Sequence, residues 1–166
     1  MTIYLVIPLM LAAALLQVAL IPHLTVWGVF ADLPLLLVLS WGLLRGGREG
    51  AVWGFVAGIF TDFFSGGPFG AATLSLMAAG ALSGLGQNVV YRHYLLLPPL
   101  IAFLGTLIYD LLFMVVMVIT GHSVVWLETL GRIIVPSAAL NALLIPIALG
   151  LMRLVHRRLG GEAIEI

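Results

Sequence analysis

Residues 50–70 read GAVWGFVAGIFTDFFSGGPFG, and this stretch decides the fold class. Gly50, Gly54 and Gly58 recur at four-residue steps, Asp62 takes the next place in the series, and Gly66 and Gly70 follow. A four-residue step keeps small residues on one slowly drifting face of a helix, where a second backbone can approach closely. Trp53, Phe60 and Phe64 fall on a different face, suited to lipid or to larger side chains. Ser65-Gly66-Gly67-Pro68 must stop the helix, so Asp62 sits close to its end. A glycine stripe leading to one ionisable group predicts a packed membrane bundle with a polar feature near its surface.

Composition points the same way. Hydrophobic residues fill 63% of the 166 positions and charged residues only 8%, too few charges to cover a water-exposed surface. The chain reads as an all-α integral membrane protein whose length suits one bundle, since each span needs roughly 20 apolar residues. Net charge is zero, which argues against nucleic acid as a partner. The absence of cysteine excludes disulfides, iron–sulfur clusters and thiol catalysis. Met1-Thr2-Ile3-Tyr4 carries no basic residue and lacks the n-region of a cleavable signal peptide, so the first helix is expected to be retained.

The sequence predicts a single transmembrane domain of six spans, at about 3–21, 32–44, 49–64, 70–86, 95–120 and 127–155. Asp32 suits an N-cap with Pro34 in the first turn of the short second span. Ala71, Ser75 and Ala79 continue the small-residue theme on the fourth span, and two such stripes joined by a Gly-Pro turn predict a tight antiparallel pair. Trp27 suits an interfacial anchor in the first outer loop. Pro136 and Pro146 predict a kinked last span. With both termini cytoplasmic, Arg45, Arg48, Arg92, Arg153, Arg157 and Arg158 lie inside and Arg132 alone lies outside, in keeping with the positive-inside rule.

Five polar residues are candidates for a site. Asp110 lies deep in the fifth span, where an acid costs about 2.5–3.5 kcal/mol on insertion scales and should face the bundle. It is either a proton or ligand site or one end of an interhelical hydrogen bond. Thr106 lies on its face, and Tyr109 lies on another. Asp62 either binds amides of the Ser65-Gly66-Gly67 turn or lines an outward pocket with Glu128 and Arg132, which are themselves spaced to pair. Asn141, between two prolines, is expected to satisfy freed backbone or a neighbouring helix, and Gln17 is similar. His23, His93, His122 and His156 sit at span ends without metal-ligand spacing. No nucleophile elbow, zinc signature or phosphate-binding loop occurs, and lysine is absent, so neither an enzyme nor a cofactor is expected.

The pattern Ala57-Gly58-x-x-x-Asp62-x-x-Ser65-Gly66-x-Pro68-x-Gly70, at the end of the third of six spans, resembles the signature of the MreD family of rod-shape-determining membrane proteins. The arginine-bearing turn before it, Asp110, and Asn141-x-x-x-x-Pro146 running into Leu151-Met152-Arg153 agree. The resemblance implies a non-catalytic scaffold of the bacterial plasma membrane, acting in cell elongation and peptidoglycan synthesis. It implies MreC as partner, together with MreB, RodA and its class B penicillin-binding transpeptidase. It also implies a fold similar to the S-components of energy-coupling-factor transporters. A true S-component, binding a small molecule, is the alternative. Ala12, Ala13, Ala14 and Ala19, however, do not provide the Ala-x-x-x-Ala face by which such proteins dock.

Overall fold

The computed structural model describes residues 3–20, 29, 31–87 and 96–158. The architecture is all-α. α1 is Ile3–Leu20, α2 Leu33–Arg45, α3 Gly47–Ser65, α4 Ala71–Ser83, α5 Leu97–Ile119 and α6 Val135–Arg158. A single 3-10 turn, Gly84–Gly86, extends α4. A short helix, Trp126–Thr129, and a π-helical turn, Leu130–Ile134, lead into α6. Leu97–Ile119 and Trp126–Arg157 are long and apolar enough to cross a bilayer. The connections around Trp27, His23, Arg92 and His93 lie outside the described residues.

α2 is the centre of the bundle. It touches α1, α3, α4, α5 and α6, and each residue from Pro34 to Leu44 is buried. A helix apolar on all sides must be enclosed by protein or lipid, and here protein encloses it. That explains its length: 13 residues rise only about 20 Å, short of the roughly 30 Å hydrocarbon layer. A helix held on all sides by others need not reach the headgroups itself. Asp32 is its N-cap, with Oδ1 accepting from the Leu35 amide at 3.0 Å, and proline occupies its first turn.

α3 and α4 are the most extensively packed pair, and glycine is the reason. A Cβ on Gly50, Gly54 or Gly58 would collide with backbone of Gly80, Leu76 and Thr73 respectively. The contact runs backbone to backbone, as small-residue stripes permit in membranes. The seam on α4 is therefore Thr73, Leu76 and Gly80. Ala71, Ser75 and Ala79 are fully buried on the adjoining stripe, one or two residues along from these closest contacts.

The aromatic face of α3 needs correction. Trp53 is 2% exposed and stacks on Trp41 of α2, with ring centroids 4.2 Å apart and planes at 18°. Trp41 Nε1 donates to Glu49 at 3.0 Å. The Arg45 guanidinium lies 5.6 Å from the Trp41 ring centroid and pairs with Glu49 at 3.8 Å. This cluster pins the tight turn between α2 and α3. The large apolar side chains that α3 turns outward are Val52, Phe55 and Phe63.

Leucine at Gly58 has no space against Thr73, so α3 and α4 must separate. Gly58→Leu should lower the unfolding midpoint in mild detergent by several degrees, the consequence of losing about 2 kcal/mol or more. Phe60→Leu, at a partly buried position, should cost much less. Thermal unfolding of the purified variants checks both.

Candidate functional site

Two polar constructions stand at the end of the bundle where α2 begins and α3 ends. The first is built on Asp62, which is 4% exposed. Its Oδ2 accepts from the Gly70 amide at 2.9 Å, the Thr73 amide at 3.0 Å and Thr73 Oγ1 at 2.6 Å, and its Oδ1 accepts from the Ala72 amide at 2.8 Å. The first amides of a helix have no partner within it, and they carry its positive end. Asp62 of α3 thus caps α4 from across the hairpin. Gly66 takes a left-handed φ of 67° to end α3, and Gly70 takes 101° at the entry to α4, both favouring glycine. The amides held are those beyond the turn, not those of Ser65-Gly66-Gly67.

The second construction is a cavity of about 440 Å³ among α1, α2, α3, α5 and α6. Asn141 is its structural node. Asn141 Oδ1 accepts from the Asp32 amide at 3.2 Å, and Nδ2 donates to Thr106 Oγ1 at 3.2 Å. Thr106 Oγ1 in turn donates to the Ala102 carbonyl at 2.7 Å. From α1, Gln17 Oε1 accepts from the Leu33 amide at 2.9 Å, while Nε2 donates to the Ala31 carbonyl at 3.1 Å. Two amide side chains from two helices therefore hold the entry of α2. Asn141 serves neighbouring helices, not the carbonyls freed by its flanking prolines.

Asp32, Tyr109 and Asp110 also line this cavity, and the Tyr109 hydroxyl faces the Asp32 carboxylate. Asp110 Oδ2 is shut off from solvent and has no hydrogen-bond partner among the described residues. Thr106, which helical spacing offers as its donor, gives its hydrogen to the Ala102 carbonyl instead. Tyr109 and Asp110 stand about 100° apart on the helix, and both border the same recess because it wraps around α5. Neighbours in sequence can flank one cavity, a relation that a face-by-face reading misses.

Glu128 and Arg132 are exposed and pair at 3.0 Å. Neither they nor Asp62 border the cavity, whereas Asp110 and Asn141 do. Asp32 and Tyr109 are the site residues that sequence reasoning left out. Asp32 was visible only as a helix cap. His122 is exposed, and His156 sets its edge toward Trp41 at 6.0 Å. Among the described residues no three His, Asp or Glu side chains gather as a metal site.

With this geometry in place, comparison with known families is decisive. The family described as rod shape-determining protein MreD matches residues 1–155. The chain belongs to the MreD family. No curated protein and no solved structure matches it significantly, and similarity to S-components finds no support there. Membership accounts for the apolar helices, for MreD proteins are membrane proteins that determine rod shape. Within this MreD chain, the Asp62-to-Gly70 motif has a physical function: it closes the α3–α4 hairpin.

Asp62→Ala would leave three amides without their acceptor, the two buried ones, of Ala72 and Thr73, at about 1–3 kcal/mol each. The variant should be unstable or fail to accumulate, whereas Asp62→Asn should retain part of the cap. Asn141→Leu removes two interhelical hydrogen bonds at roughly 0.6 kcal/mol each and should lower the unfolding midpoint only modestly. Denaturant titration in detergent distinguishes these two scales.

Proposed function

We propose that this MreD-family protein is a non-catalytic scaffold of the rod machinery, holding MreC beside the enzymes that extend peptidoglycan. Family membership over residues 1–155 carries the reading. Further support comes from the surface. Exposed apolar side chains run along α3, α5 and α6, including Phe55, Phe63, Leu104, Leu143 and Ile147. An apolar surface in a bilayer exchanges lipid for a partner helix at little cost. The aromatic surface open to such a helix on α3 is that of Phe55 and Phe63, with Trp53 turned inward. MreB, RodA and its class B penicillin-binding transpeptidase are the further partners proposed.

We further propose six membrane crossings as one domain in the plasma membrane, both termini cytoplasmic, in an arrangement similar to the S-component fold. Arg45 closes α2 at the end opposite Asp32, and Arg48 follows in the first turn of α3. Arg153 and Arg157 belong to the last turns of α6. Arginine on that side supports a cytoplasmic assignment, which puts the cavity at the outer face.

Two measurements test these readings. Co-expression with the cognate MreC should yield a detergent-stable complex without turnover of any substrate. Two proteins that elute separately would sink the scaffold reading. A fluorescent protein fused to the C-terminus should be bright and a phosphatase inactive, and an active phosphatase would reverse the topology.

A further inference from the structure

We propose that the cavity among α1, α2, α3, α5 and α6 binds an organic ammonium group, carried by a small amine or quaternary-ammonium compound. This goes beyond the scaffold reading and does not depend on it. The volume, about 440 Å³, falls in the range of small-molecule sites, about 300–1,000 Å³. What decides the chemistry is which lining groups remain free to bind. Gln17, Thr106 and Asn141 spend their hydrogen bonds on the protein, holding the entry of α2 and bridging α5 to α6. The unspent capacity lies chiefly on Asp110. Asp32 gives Oδ1 to the Leu35 amide and faces the Tyr109 hydroxyl, whereas the Asp110 carboxylate, its Oδ2 walled off from solvent, accepts no hydrogen bond among the described residues.

Among the described residues no basic side chain borders the cavity. Arg132, in the neighbouring π-helical turn, is exposed and engaged with Glu128. Two acids without a counter-charge in a low-dielectric setting favour a cationic guest. Phe64, Tyr109 and Phe113 contribute aromatic rings to the lining, with the Tyr109 and Phe113 rings tilted at 34° and 6.1 Å apart. Aromatic faces attract ammonium ions, quaternary ones included. A bare metal ion is the poorer fit, because the recess is large and, among the described residues, two carboxylates border it. Ile133, in the π-helical turn, forms part of the wall, and such turns often accompany functional sites.

The same ammonium chemistry is available from a soluble amine or from the headgroup of phosphatidylethanolamine. The test uses the full chain in nanodiscs of phosphatidylglycerol, which carries no ammonium. Butylammonium, putrescine and choline are titrated by calorimetry and thermal unfolding, with butanol and butyrate as controls. At least one ammonium probe should bind saturably and raise the unfolding midpoint, and the controls should not. Asp110→Asn should weaken that binding about tenfold while keeping its elution profile and helical content. If that variant does not fold, Phe113→Leu should weaken binding about threefold.

If the lipid is the source, the soluble probes bind weakly in phosphatidylglycerol. Nanodiscs of phosphatidylethanolamine then stabilise wild type and not Asp110→Asn. No saturable response in either lipid overturns the proposal. A response equalled by butanol, or unaltered in Asp110→Asn and Phe113→Leu, does the same. None of these outcomes bears on MreC association, so the two readings fail separately.

Discussion

The carboxylate of Asp62 is the interaction on which the rest of the bundle depends. Four donors converge on it from the start of α4, turning an acid that would be costly inside a membrane protein into a fastening between two helices. Its placement fixes where α3 ends, how far α4 is offset along it, and hence which small residues meet. A shift by one residue would carry Gly54 and Gly58 off Leu76 and Thr73 and put side chains where there is no space. The cap and the glycine seam are one device: the carboxylate sets the register, and the glycines make that register close-packed.

A second constraint acts on α2. An enclosed helix gains nothing from lipid at its flanks, and its first amides still require acceptors. Asp32 supplies one from within, and Asn141 and Gln17 supply others from α6 and α1. Lone polar residues in apolar helices are expensive, and these are retained because they meet backbone. The cavity is a by-product of that arrangement. Where side chains lean inward to serve the entry of α2, they leave a recess that apolar packing does not fill.

Much of this was legible in the sequence. Six helices, the Asp32 cap, the prolines in the first turns of α2 and α5 and the close approach of α3 and α4 follow from local rules. Those rules involve residues a few positions apart. What the sequence withheld involves residues far apart. Spacing placed Trp53 on an aromatic face, but only its stack with Trp41 shows that this face turns inward. Thr106 stands one turn from Asp110, yet Asn141 and the Ala102 carbonyl claim it. Nothing local in Gln17 or Asn141 states that both serve the same helix entry. The choice between Ala71, Ser75, Ala79 and the neighbouring stripe turned on a rotation of one or two residues, which periodicity alone does not set.

The glycine seam also determines where the molecule can yield. Where its glycines meet backbone, the seam freezes no rotamers on the α3 side when it forms, so it incurs less of the side-chain entropy cost that a seam of leucine or methionine on both helices would. The glycines also have no rotamers through which to adapt afterwards. The hairpin of α3 and α4 should therefore move as a single stiff strut. The leucine-rich surroundings of α2 can repack by small rotamer changes. Any breathing that admits or releases an occupant of the cavity belongs to α1, α5 and α6, with the strut as the fixed frame against which they shift.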